Sequence, residues 1–82
     1  MKAMIMDEYE EGASIIDGPE EVIKELKEYL IQFDKYEHSA CWGVEEFISY
    51  LNDVVLIDND EKIIILKLWT YDYDKNLPTL KI

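Results

Sequence analysis

The sequence contains no arginine, a single cysteine, a single histidine and only three glycines, and these absences narrow the classes it can belong to. One cysteine excludes an internal disulfide framework, on which small secreted domains depend, so a reducing cytoplasm is the expected location. The apolar residues at the start of the chain run straight into Asp7 and are too few for a signal peptide. No run approaches the ~18 apolar residues of a membrane span, so no membrane partner is expected.

Residues suited to catalysis or metal binding are also scarce. His38 and Cys41 are close in the sequence, but no orienting group accompanies them, and a structural cysteine is the simpler interpretation. Zinc sites need roughly three or four ligands, which these two residues cannot supply alone. A calcium-like D-x-D-x-N run begins at Asp72, yet it lacks the turn glycine and the bidentate glutamate. We therefore expect no enzyme activity, no metal and no cofactor.

Negative charge is what the sequence has in excess. Its 82 residues carry 19 Asp and Glu against eight Lys, for a formal net charge of −11. A small domain stays soluble with a net charge of only about 2–8 in magnitude. At the same time 49% of the residues are apolar and 12% are aromatic, unlike a disordered acidic tail. The chain is therefore predicted to fold as one domain, residues 1–82, in spite of its self-repulsion.

The acidic residues are concentrated in two blocks that contain no positive residue, at positions 3–23 and 36–61. Carboxylates at helix starts and in tight turns are ordinary, because they oppose the helix dipole or bond the turn backbone. Those effects explain where the acids stand but not why counter-charges are missing near positions 7–11 and 53–61. Like charges held together cost stability, so we interpret these blocks as a binding surface for a basic partner.

Hydrophobic patterning predicts the fold. Short apolar or β-branched runs bounded by turn residues predict strands at 2–6, 13–16, 54–57 and 62–73, with a short edge strand at 79–82. Apolar stripes at steps of three and four residues predict two helices, one beginning near 20 and ending near 36, the other at 44–53. The predicted class is α+β, an antiparallel β-sheet with two helices on one face in the order β-β-α-α-β-β.

The long predicted strand at 62–73 has two different faces. Alternate residues share a face, so Ile64, Leu66 and Leu68 are expected to meet the helices. The opposite face then carries Trp69 and Tyr71. These aromatic side chains are either exposed as a contact surface or covered by the C-terminal segment, and the pattern leaves both open.

In size, charge and acidic blocks the chain resembles small acidic DNA-mimic inhibitors, many of them phage-encoded. Such proteins present carboxylates to a surface that otherwise binds the closely spaced phosphates of DNA. The resemblance rests on charge pattern and carries no residue motif. It implies a basic DNA-binding protein as partner, either a nucleoid-associated protein of the HU kind or a defence nuclease, in the host cytoplasm. Direct binding to nucleic acid or membrane is not expected, because their phosphates would repel the acidic blocks.

The predicted partner-binding residues are the acids of the two blocks together with two aromatic residues: Asp7, Glu8, Glu10, Glu11, Glu45, Glu46, Asp53, Asp58, Asp60, Glu61, Trp69 and Tyr71. The aromatic residues would supply apolar anchors or a homodimer face. One alternative is an immunity protein or antitoxin that neutralises a nuclease toxin, as barstar-like inhibitors do. Another is an acidic scaffold subunit that assembles through its aromatic face.

Overall fold

A four-stranded sheet forms the base of the structure, a computed structural model that describes residues 1–7, 12–37 and 42–82. The strands are β1 (Lys2–Met6), β2 (Ala13–Asp17), β3 (Ile64–Thr70) and β4 (Thr79–Lys81). Their order across the sheet is β3-β2-β1-β4, so β3 and β4 are the two edge strands. Five of the residues singled out from the sequence lie outside the described residues: Glu8, Glu10, Glu11, His38 and Cys41.

The helices in the described part of the chain are α1 (Glu20–Ile23), α2 (Leu26–Tyr36) and α3 (Val44–Tyr50), and α3 continues into a π-helical turn at Leu51–Val55. The α+β class is confirmed, but the helix predicted at 20–36 is divided. At the division the Glu25 N–H bonds the Val22 carbonyl at 3.0 Å, three residues back, which tightens the turn between α1 and α2. The element order is therefore β-β-α-α-α-β-β among these residues, not β-β-α-α-β-β.

The prediction of an antiparallel sheet was wrong, because the sheet is mixed. β1 pairs with β2 antiparallel and β2 with β3 antiparallel, but β4 pairs with β1 in parallel. The segment between β3 and β4 carries Tyr73 and Leu77 over the face of the sheet away from the helices, where they pack on Met4 and Met6. This segment brings the chain to the far edge, where β4 runs in the direction of β1.

The strand predicted at 54–57 was also wrong, because Val54 and Val55 continue the helix and the next two residues form the turn after it. The Leu56 N–H bonds the Leu51 carbonyl at 2.8 Å, five residues back, and Leu56 is buried in the core. The Asn52 side chain bonds both backbone groups of Ile63, accepting from its N–H at 2.8 Å and donating to its carbonyl at 3.0 Å. These contacts fix the end of the helix against the start of β3 and outweigh the local preference for a strand.

The core lies between the helices and one face of the sheet. The apolar stripe of α2 and that of α3 meet there, as the sequence predicted, together with Ile5 and Ile16 of the central strands. Phe33 is at the centre, with ring centroids 5.0 Å from Trp42, 5.5 Å from Phe47 and 5.1 Å from Tyr50. Aromatic pairs at these separations are favourable beyond their area, by roughly 0.5–1.5 kcal/mol.

The predicted orientation of the long strand was wrong. Ile64, expected to face the helices, is 62% exposed, while Ile63 is 4% exposed and belongs to the core. The cause is register: Ile65 pairs with buried Ile16, which puts Ile65 on the helix side and Ile64 on the other. Irregular pairing opposite residues 13–16 then breaks the simple alternation along the strand. Leu66 and Leu68 are exposed as well.

Candidate partner-binding surface

Six exposed carboxylates follow one another along α3, the π-helical turn and the loop before β3. We call them the acidic row: Glu45, Glu46, Asp53, Asp58, Asp60 and Glu61. The exposure of Glu45 and Glu46 follows from the buried stripe of α3, since Val44, Phe47 and Ile48 take the side that meets the core. The remaining positions must face solvent.

The start of α3 fixes one of these carboxylates in place. The Gly43 N–H donates to Oε2 of Glu46 at 3.1 Å, so this side chain satisfies a backbone group that has no helical partner. Glu45 and Glu46 both lie in the first turn, where a negative charge is favourable by about 0.3–1 kcal/mol. These two residues therefore have a structural role whether or not they also contact a partner.

The loop after the π-helical turn presents the other end of the acidic row. The Asn59 N–H bonds the Leu56 carbonyl at 3.0 Å, and the Asn59 side chain accepts from the Glu61 N–H at 2.9 Å. The amide of Asn59 thus closes the turn, and the carboxylates of Asp58, Asp60 and Glu61 are left pointing to solvent with no backbone bond among the described contacts.

Lys62 is next to this loop in the sequence but does not neutralise it. Its ammonium donates instead to the backbone carbonyls of Asn52, at 3.3 Å, and Leu56. A cation at this position satisfies carbonyls that the helix end leaves without partners and opposes the negative end of the dipole. The nearest positive charge is therefore used to stabilise the helix end.

No residue that the structure describes forms an ion pair with any carboxylate of the acidic row. The described ion pairs involve other acids: Asp17 with the N-terminal ammonium at 3.1 Å, Glu20 with Lys24 at 2.7 Å, and Asp72 with Lys67 at 3.9 Å. The hydrogen bond from Lys24 lowers the pKa of Glu20, and the same bond raises the pKa of Lys24. Lysines from distant segments thus leave the acidic row uncompensated.

The first acidic block is only partly described. Asp7 is half-buried and directly follows β1, whose last residue Met6 pairs with Ala13. The loop of the acidic row precedes β3, whose first residue Ile64 pairs with Asp17 at the other end of β2. Asp7 and this loop therefore lie at opposite ends of the sheet, and the structure does not bring them together.

The two predicted aromatic residues form a separate surface on edge strand β3. Trp69 is 44% exposed and Tyr71 is 81% exposed. Trp69 has a φ of 47°, a left-handed conformation that is uncommon for a bulky residue and costs of order 1–3 kcal/mol. Its N–H donates to the Oγ of Ser14 at 3.2 Å, and Ser14 is fully buried. No sequence signal points to this serine, because a lone Ser in a strand is ordinary.

Residues of the calcium-like run that begins at Asp72 form local contacts instead. An Asp74 carboxylate oxygen accepts from the Asn76 N–H at 2.9 Å, and the Asp72 N–H donates to the Thr70 hydroxyl at 3.0 Å. Within residues 1–7, 12–37 and 42–82, no group of three or more His, Cys, Asp or Glu side chains is placed to hold a metal ion. In the same residues no helix is both long and apolar enough to cross a bilayer.

Comparison with protein families, with curated proteins and with solved structures gives no significant match to this chain.

Proposed function

We propose that this protein is an inhibitor that docks its acidic row on the nucleic-acid-binding surface of a basic protein. The observation that supports it best is the set of six exposed carboxylates with no ion-pair partner among the described residues. Such an arrangement costs stability through self-repulsion, and a partner rich in Lys and Arg would relieve that cost on binding.

The scaffold under the acidic row supports the proposal because it is held rigidly. The Asn52 side chain bonds both backbone groups of Ile63, and the Lys62 ammonium bonds the end of the helix. Carboxylates on such a support lose little further backbone freedom when they bind, which favours affinity.

The length of the acidic row suits a surface that binds DNA. Glu46 and Asp53 are two helical turns apart, about 10 Å at the helical rise of ~1.5 Å per residue. Duplex DNA presents one negative charge per ~1.7 Å of its axis, so a protein groove that binds DNA contacts several phosphates over this length. The acidic row would replace a few neighbouring phosphates and thereby exclude the duplex.

Trp69 and Tyr71 have a separate place in this proposal. Thr70, between them, pairs with Ala13, so they stand at the end of the sheet away from the loop of the acidic row. They would serve as apolar anchors at the rim of a large contact or as the contact between two copies of the chain. The chain itself would have no catalytic role and would act in the cytoplasm of a host cell.

A nucleoid-associated protein of the HU kind is the proposed first target, with a defence nuclease second. The test is displacement of a fluorescent duplex from such a protein, followed by anisotropy. We expect the chain to release the duplex in a concentration-dependent way, and a higher concentration of the fluorescent duplex to raise the amount of chain needed for half-release.

A matched pair of charge variants makes the test specific. The triple change Asp58→Asn, Asp60→Asn and Glu61→Gln should weaken displacement. Neutralising three exposed acids of α1, α2 and the turn between them removes the same charge elsewhere and should leave displacement nearly unchanged: Glu21→Gln, Glu25→Gln and Glu28→Gln. Equal losses in both variants would contradict a localised docking surface. No displacement of any duplex, with tight binding to one nuclease toxin, would favour an immunity protein instead.

A further inference from the structure

A groove on the side of α1 and α2 next to edge strand β4 is lined by lysines and apolar residues, unlike the acidic surface described above. The groove has a volume of about 720 Å³. Its floor is apolar and includes Ile23, Leu26 and Leu80. Three lysines line it as well: Lys24, Lys27 and Lys81.

None of the described residues that line this groove is acidic, although the chain has 19 acids and only eight lysines. Glu20 pairs with Lys24 from outside the groove. Lys27 is exposed and forms no ion pair with any residue the structure describes. We call this site the lysine-rimmed groove.

The chemistry of the lysine-rimmed groove selects a ligand with two parts. Binding on an apolar floor is favourable by about 25 cal/mol of free energy for each Å² of apolar surface removed from water, which favours an alkyl chain as ligand. The ammonium groups on the rim favour a negative head placed at the groove opening. Sites for small ligands usually measure ~300–1,000 Å³ and combine apolar walls with a few polar groups, and this groove has that form.

We propose that the lysine-rimmed groove binds a single-chain amphiphile with an anionic head, such as a fatty-acid carboxylate. The alkyl chain lies on Ile23, Leu26 and Leu80, and the carboxylate accepts a hydrogen bond from Lys27. This inference is independent of the proposed inhibitor function, because the groove includes no residue of the acidic row.

The test is an NMR titration of the whole protein with dodecanoate below its micelle concentration. Dodecanol and dodecylammonium, which have the same alkyl chain but a neutral or positive head, are the controls. We expect saturable shifts of the Ile23, Leu26 and Leu80 methyl groups with dodecanoate, and weaker binding of the other two at these methyls. Equal binding of all three, shifts confined to other parts of the protein, or no saturable shift would overturn the proposal.

Variants locate the head and the chain. Lys27→Glu should weaken dodecanoate binding by about tenfold, since removing one favourable charge contact of ~1.4 kcal/mol corresponds to that factor. Lys35→Glu makes the same charge change on the same helix, outside the groove. It should change the logarithm of the dissociation constant for dodecanoate by less than half as much. Ile31→Ser, at an exposed residue that lines the groove, should weaken binding of the alkyl chain of dodecanoate without disturbing the protein fold. Equal effects of Lys27→Glu and Lys35→Glu would contradict a specific head site.

A final arm separates a free amphiphile from a membrane lipid. Sedimentation with phosphatidylglycerol vesicles should leave the protein in the supernatant, because its net charge of −11 is repelled by an anionic surface. Binding to vesicles in the absence of dodecanoate binding would overturn the proposal.

Discussion

Two helical units lie on the same face of the sheet: α1 with α2, and α3 with its π-helical turn. They are alike on the side that meets the core and differ on the side that faces solvent. Both α2 and α3 bury an apolar stripe in one shared core, where Phe33 of α2 contacts Phe47 of α3. On the solvent side, α1 and α2 alternate acids with lysines and include the pair of Glu20 and Lys24. The unit formed by α3 and its π-helical turn has acids alone.

The comparison teaches that packing and charge are set independently. Both units bury an apolar stripe in the same core although their solvent sides differ. The acids of the α3 unit have no described ion pair, and Lys62, which follows them in the sequence, bonds backbone carbonyls instead. The structure therefore has one helical surface on which lysines stand among the acids and another on which only acids are charged.

The largest expected effect comes from disrupting the apolar core that the two units share. Phe33→Ala removes a buried ring that contacts Trp42, Phe47 and Tyr50, and we expect a loss of about 3–5 kcal/mol in the free energy of unfolding. Denaturant unfolding followed by tryptophan fluorescence measures it. A loss below about 1 kcal/mol would show that the ring is not central to the core.

The next effect concerns the entry to α1. A Cβ at Gly18 would lie 2.7 Å from the Ile63 side chain and 3.3 Å from the Ile63 Cα. Gly18→Ala should therefore destabilise the protein by about 1–3 kcal/mol through overpacking. Thermal unfolding of Gly18→Ala, of Ile63→Ala and of the double variant checks the cause. Ile63→Ala removes the Cγ1 atom that the new methyl group would meet, so Gly18→Ala should cost less in that background. No recovery would point to the backbone instead of this contact.

A smaller effect should distinguish Lys62 from other surface lysines. Lys62→Met removes the bonds to the carbonyls at the end of the helix and should cost about 1 kcal/mol. Lys67→Met is the matched control, because its ion pair with Asp72 is exposed and should contribute close to ~0–1 kcal/mol. Urea unfolding of both variants measures the difference. A greater loss in Lys67→Met would contradict the role assigned to Lys62.

The smallest effect is the pH dependence of the ion pair on α1. Because Lys24 lowers the pKa of Glu20, the pair stabilises the protein above the ordinary pKa of a glutamate, and this contribution is lost as pH falls through the lowered value. The stability difference between the protein and Glu20→Gln should vanish in acid. Glu45→Gln on α3 breaks no described ion pair and is the comparison. A Glu20→Gln difference that persists in acid would rule out the pair as its source.

The strands β1 and β2 and the apolar stripes of α2 and α3 could be predicted from the sequence, because each depends on local periodicity. Val54 and Val55 could not be placed, since their strand preference yields to bonds that Asn52 and Lys62 form at the end of the helix. Such bonds depend on where β3 begins, which no local pattern contains.

Two further features required the three-dimensional structure. The register of β3 on β2 puts Ile65 opposite Ile16 and so leaves Ile64 on the side away from the helices, and a one-residue change of register is enough to exchange the two faces of a strand. The lysine-rimmed groove joins Lys24 and Lys27 to Lys81 from the last strand. The sequence did predict acids without counter-charges at 53–61, but not that the adjacent Lys62 would bond the end of the helix instead of them.

The most direct test of the docking proposal is calorimetric titration of the protein into an HU-kind protein over a series of salt concentrations. We expect affinity to fall steeply as salt rises, since exposed charges are screened within ~8 Å at physiological ionic strength. The triple variant at Asp58, Asp60 and Glu61 should bind more weakly and show a shallower dependence on salt. An affinity that does not change with salt, in the protein and the variant alike, would contradict the account.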